Sequence, residues 1–212
     1  MWFGHEMYKP FADLARAAVR STDNFNWTFI TLLAFVVYVY TSEIQRKNYR
    51  GIVAGLSLYM VHWLFEIANA LICAATGYAL WTVSAQSTTF ILLIGVSWEL
   101  SMMFSIAGII MHKLLPEDPK KKFLGLNNRV LFAVVNAALF AAIEIFLAKT
   151  SAFIWVYPWW GTIPVFIFVY IPFFLAAFLV PDTKPKTQKL FIGTLAGINI
   201  LLMCVFVSLG LI

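Results

Sequence analysis

The chain has 212 residues, of which 62% are hydrophobic and 12% charged, with a formal net charge of +5. Soluble domains carry about 25% charged residues. A chain with half of that cannot cover a water-exposed surface, whereas one solvated by lipid has no such need. The positive charge sits in the connections between apolar runs, so it reflects orientation in a bilayer, and nucleic-acid binding is a poor explanation.

Residues 1–26 hold Glu6, Lys9, Asp13, Arg16, Arg20 and Asp23 without an apolar core, which does not fit a cleaved signal peptide. Phe11, Leu14, Ala15, Ala18 and Val19 recur at helical spacing. The segment therefore reads as an amphipathic helix, lying at the interface or packed on the protein. Six apolar runs follow, at 27–40, 51–78, 88–111, 130–148, 161–180 and 190–212. Most approach the ~20 residues needed to cross ~30 Å of hydrocarbon; the first reaches that length if extended to 25–42. Unbroken runs of this length exclude a barrel's alternation. The expected fold is all-α: a polytopic bundle of six transmembrane helices over 27–212, preceded by an interfacial segment over 1–26.

The connections alternate in chemistry. Arg46, Lys47 and Arg50 follow the first run; Lys113, Lys120, Lys121, Lys122 and Arg129 follow the third; Lys184, Lys186 and Lys189 follow the fifth. The positive-inside rule makes these connections cytoplasmic and puts both termini outside. The opposite connections carry Trp81 and the group Trp155, Tyr157, Trp159 and Trp160. These suit an interfacial aromatic belt or a lid over an outward-facing cavity. Gly51/Gly55 and Gly193/Gly197 are small-x-x-x-small pairs that permit close helix approach. Pro172 is expected to kink its helix. Cys73 and Cys204 lie within runs and read as small apolar fillers.

His62, Glu66, Glu99 and Glu144 are the strongly ionisable side chains within the runs, and none has a Lys or Arg at its depth. Such residues are rare in hydrocarbon and face a cavity or one another. At 100° per residue, His62, Glu66 and Asn69 share an arc of about 60° on one helix. Glu66 and Glu99 each lie about ten residues from the outer end of consecutive runs, which places them at matched depth. Glu144 lies nearer the outer end, and Asn136 roughly 12 Å deeper on the same helix. Asn199 falls mid-run. The expected catalytic set is Glu66, Glu99, His62 and Glu144; Asn69, Trp98, Asn136, Trp159, Trp160 and Asn199 are the expected substrate contacts.

Two close carboxylates in low dielectric leave at least one protonated, which supplies an acid and a base in one pocket. His62-x-x-x-Glu66 on one helix with Glu99 on the next resembles the acid–base pocket of emopamil-binding-type sterol isomerases. The resemblance covers those three residues, while the flanking sequence and helix number differ, so it illustrates the chemistry and not kinship. A metal site is disfavoured, because carboxylate-bridged bundles use Glu-x-x-His on two helices and a single His lies within the runs; no cofactor is implied. The sequence therefore points to a membrane-embedded enzyme acting on a lipid-like or isoprenoid substrate. The alternatives are a non-catalytic subunit of a membrane complex and a proton- or cation-coupled small-ligand transporter using the same carboxylates.

Overall fold

The computed structural model describes residues 9–150 and 152–212; the start of the expected interfacial segment, with His5 and Glu6, lies outside them. Helix α1 (Lys9–Ala17) buries Ala12 and Ala15 while Leu14 points away. Of the two placements open to this segment, these contacts are with the protein itself: Arg16 Nη2 donates to the Gly77 carbonyl at 3.0 Å.

Five helices are long and apolar enough to cross a membrane. They are α2 (Trp27–Gln45), α3 (Tyr49–Thr76), α5 (Asn128–Lys149), the composite helix Thr162–Asp182 and α8 (Pro185–Ser208). Asn26 caps α2, Asn48 caps α3 and Asn127 caps α5, each side-chain oxygen accepting from an amide of the first turn, as N-cap residues do. The composite helix consists of α6 (Thr162–Val165), a π-helical stretch Phe166–Tyr170, α7 (Ile171–Leu179) and a 3₁₀ turn Val180–Asp182. Pro172 has no amide hydrogen to offer the carbonyl of Phe168, and the helix is widened just ahead of it.

The third apolar run departs from expectation. Its first half is a tight hairpin, β2 (Ile91–Leu93) with β3 (Val96–Ser97), and only its second half is helical, as the 15-residue α4 (Trp98–His112). Ser97 caps α4 by accepting from Leu100 N at 3.3 Å. Ile91, Leu93, Ile94 and Val96 are buried, so their apolarity serves packing inside the protein, which an apolar run by itself does not distinguish from contact with lipid. Two more antiparallel pairs depart from the all-α expectation. β1 (Trp81–Val83) pairs with β6 (Phe153–Trp155), and β4 (Lys122–Phe123) with β5 (Leu126–Asn127). Leu124 and Gly125 turn the latter with φ of 52° and 78°, the left-handed pair that a two-residue hairpin needs.

Helix α3 is central, packing against α4, α7, α8 and α2. Its approach to α4 is closest at Gly108, where an added Cβ would lie 2.5 Å from the Ala54 carbonyl oxygen and 2.9 Å from Gly55 Cα. Gly55 therefore serves an internal contact, whereas Gly193 and Gly197 have nothing within 4 Å. At the end that carries the basic connections, Asp182 accepts from Arg129 Nε at 2.7 Å and also pairs with Arg50. Lys113 pairs with the buried Glu43. Cys73 and Cys204 are free thiols.

Candidate functional site

A cavity opens between α3, α4, α5 and the composite helix, capped by the β1–β6 ribbon and by Gly95 in the β2–β3 turn. The cavity has a volume of about 100 Å³. Its polar groups are His62, Glu66, Glu144, Tyr170 and the Trp81 indole; most other walls are aliphatic or aromatic. Two wall residues, Met103 on α4 and Ile143 on α5, are also 38% and 45% exposed, so the cavity reaches the apolar outer surface between those helices.

The β1–β6 ribbon sets the carboxylates. Trp81 and Trp155 are directly opposed across it, so their side chains share one face. Trp81 Nε1 donates to Glu66 Oε2 at 3.2 Å, and Trp155 Nε1 donates to Glu144 Oε1 at 2.7 Å. Two carboxyl groups on different helices are thus held by a matched pair of neutral donors. Tyr170 lies beside Glu144 in the same cavity wall. The π-helical stretch ends on Tyr170, and such widened turns are frequent at functional sites.

His62 is fully buried. Its ring stacks on Phe104 with centroids 4.4 Å apart and meets Phe173 edge-on at 5.8 Å. Nε2 lies 3.5 Å from Glu66 Oε1. That is an ion-pair separation without hydrogen-bond alignment, and among the described residues neither ring nitrogen has a hydrogen-bond partner. The imidazole is thus held by apolar stacking beside a carboxyl group.

Glu99 does not join this group. It sits in the first turn of α4, where Oε1 accepts from Thr89 N at 2.7 Å, and it borders a separate polar cleft with Asn24, Asn26, Thr28 and residues 86–89. The expected Glu66–Glu99 pair gives way to Glu66–Glu144. Glu99 is displaced because its helix begins at Trp98, not near residue 88.

The expected substrate contacts mostly have structural partners. Asn69 Oδ1 accepts from Leu80 N at 2.7 Å and Nδ2 donates to the Trp81 carbonyl at 2.9 Å, so Asn69 holds β1. Trp98 Nε1 donates to the Phe29 carbonyl, and its ring stacks on Phe29 at 3.8 Å, tying α4 to α2. Asn136 donates to the Phe132 carbonyl one turn back, and Asn199 donates to the Met60 carbonyl, fastening α8 to α3. Trp160 stacks on Trp81 at 5.7 Å, behind the cavity wall, and Trp159 is 47% exposed. None of the six lines the cavity. Sequence reasoning missed Tyr170, whose one signal was a phenol in the middle of an aliphatic and phenylalanine run. It also read Trp81 and Trp155 as belt or lid residues and not as donors to the carboxyl groups. Among the described residues, no three His, Cys, Asp or Glu side chains converge as metal ligands.

A family described as "Uncharacterized membrane protein family" matches residues 9–208. The chain belongs to that family. An "Uncharacterized protein" of Archaeoglobus fulgidus is 42% identical over 203 residues, covering 93% of this chain and 96% of the relative. No solved structure matches. The protein is therefore an integral membrane protein with several apolar helices, and the matched region contains the whole cavity and its ribbon.

Gly95 bears directly on the site. A Cβ there would meet Asn69 Nδ2, Trp81 Nε1 at 2.5 Å and Glu66 Oε2 at 2.7 Å. Gly95→Ala is expected to push Glu66 off the Trp81 indole and to cost about 1–3 kcal/mol, as overpacking does. The thermal unfolding midpoint in detergent checks it; an unchanged midpoint would show that the turn yields instead.

Proposed function

We propose that the protein is a membrane-embedded enzyme that moves protons on a hydrophobic, lipid-like or isoprenoid substrate, with His62, Glu66 and Glu144 acting on the reacting atoms. The observation that carries this reading is the convergence of two carboxyl groups and an imidazole in one apolar cavity without Lys or Arg among its walls. A purely structural role for these groups would match each donor to an acceptor. Instead, both buried His62 nitrogens lack a hydrogen-bond partner among the described residues, and the ring borders the cavity.

The chemistry suited to this arrangement is paired proton transfer. Glu66 and His62 share one wall, and Glu144 with Tyr170 another. One carbon of a substrate double bond gains a proton from one wall, and the carbon two positions along loses a proton to the other, so the double bond shifts by one position. General acid–base steps of this kind contribute about 10²–10⁴-fold in rate. The indoles of Trp81 and Trp155 are positioning groups, and the opening flanked by Met103 and Ile143 admits a chain from the bilayer. In the same reading α4 and its hairpin complete a sixth crossing, the basic connections face the cytoplasm, and both termini lie outside.

The test uses the protein in bilayers containing a polyisoprenoid and sterol mixture in D₂O, with deuterium on lipid carbon read by mass spectrometry. The intact protein is expected to label a lipid in that mixture. Glu66→Gln is expected to lose at least about 100-fold in rate while keeping its thermal midpoint. Undiminished labelling by Glu66→Gln would remove Glu66 from the chemistry, and absence of labelling by the unaltered protein would count against proton transfer on these substrates.

A further inference from the structure

At the opposite end of the bundle from the ribbon, a second cavity of about 460 Å³ is bordered by Asn48, Arg50, His112, Lys113, Leu115, Pro116, Glu117 and Arg129. We propose that this cavity is a binding site for a phosphate group, gripped by Arg50, His112, Lys113 and Arg129. The site is independent of the acid–base cavity and of the activity assigned to it.

Three cationic side chains, Arg50, Lys113 and Arg129, and the His112 imidazole face this space, together with one carboxylate, Glu117, which is exposed. With Glu117, Asp182 and Glu43 balance the three cations in formal charge from behind, so the site rests on unused donors and not on net charge. Asp182 takes one N–H from Arg129 and one from Arg50, and Glu43 pairs with Lys113. A guanidinium carries five donors and an ammonium three; Arg129 keeps Nη2 after its bonds to Asp182, Pro116 and Asn128, and Arg50 keeps most of its donors. The arrangement is also built and not merely superficial. Arg129 is 2% exposed, held by the Pro116 carbonyl and Asn128 Oδ1, each at 2.8 Å from Nη1. His112 Nε2 is buried with no hydrogen-bond partner among the described residues.

The backbone favours the same ligand. Arg50 and Arg129 lie in the first turns of α3 and α5, where the helix dipole favours an anion. Two helix N-termini, three cationic side chains and an imidazole around one opening suit a compact anion with several acceptor oxygens. A phosphate supplies these, and guanidinium groups bind it through paired N–H donors. Free phosphate and a phospholipid headgroup present the same oxygens.

The test uses full-length protein in a phosphate-free maltoside detergent, titrated separately with inorganic phosphate and with short-chain phosphatidic acid. The readout is the His112 ring NMR signal, assigned with His112→Gln. A saturable shift is expected with at least one probe. Response to both identifies free phosphate as sufficient; response to phosphatidic acid alone identifies a headgroup held with its chains on the neighbouring apolar surface. Arg50→Ala is expected to weaken binding about tenfold, the loss of one charge-assisted contact. Glu117→Gln is expected to strengthen it, which a merely structural role for the cluster would not do. No saturable shift with either probe overturns the proposal. So does unchanged affinity in an Arg50→Ala protein whose thermal midpoint matches the unaltered one.

Discussion

Arg129→Ala is expected to destabilise the protein by about 3–5 kcal/mol, the usual cost of removing one partner from a buried ion pair. The side chain of Arg129 is 3% exposed and joins three parts of the chain. Its Nε bonds Asp182 at the end of the composite helix, and its Nη1 bonds the Pro116 carbonyl in the loop after α4. Truncation leaves Asp182 with Arg50 alone, whose side chain is 50% exposed, and leaves the Pro116 carbonyl without this donor. Arg129→Lys keeps the charge but not the planar fork, so an intermediate loss is expected. Thermal unfolding in detergent orders the three proteins; an alanine variant as stable as the unaltered chain would mean that Arg50 and water replace the guanidinium.

Asn69→Leu is expected to cost about 2–4 kcal/mol and to disable the acid–base cavity at the same time. The leucine fills similar volume, so the loss is one of hydrogen bonding. The Leu80 amide and the Trp81 carbonyl lose their 2.7 Å and 2.9 Å partners in a buried setting, and each unmet group costs about 1–3 kcal/mol. The second effect is transmitted. With Trp81 no longer pinned, its indole leaves Glu66, and the carboxyl group turns within the cavity. Asn69→Asp keeps an acceptor for Leu80 but loses the donor to Trp81, so about half of the destabilisation is expected. Thermal unfolding gives the first effect and deuterium labelling of lipid carbon the second. Full labelling by a folded Asn69→Leu protein would show that Glu66 does not depend on the ribbon.

The sequence was most legible where one variable decided the outcome. Apolar length alone located α2, α3, α5, the composite helix and α8, because crossing hydrocarbon requires that length. The stripe of His62, Glu66 and Asn69 was legible because they lie on one uninterrupted helix, where the 100° rule applies; all three are buried on α3. Glu99 shows where such reasoning stops. Depth counted from residue 88 assumed helix throughout, but the chain spends 91–97 on a hairpin and starts α4 at Trp98. Glu99 therefore lies at the mouth of its helix. The Trp81–Trp155 pairing was out of reach for another reason. It depends on the register between strands separated by two helices, and no local pattern encodes register. Asn69 was placed on the right face but given the wrong partner, since a buried amide satisfied by backbone looks the same in sequence as one waiting for a ligand.

The π-helical stretch has a mechanical meaning. A π turn carries one residue more than the α turn it replaces, so it acts as a phase shifter along the composite helix. Residues on one side of Phe166–Tyr170 are rotated by about 100° relative to the other, compared with an unbroken α-helix. Val165 before the stretch, Val169 and Tyr170 within it, and Phe173 beyond it all face the cavity. The same extra residue is also removable. Its loss would return the helix to α geometry, keep the span nearly as long and as apolar, and swing the phenol away from Glu144. Within one unchanged bundle, descendants of this sequence could gain or lose the tyrosine's contribution by a single codon's insertion or deletion, with no change to the composition of the span.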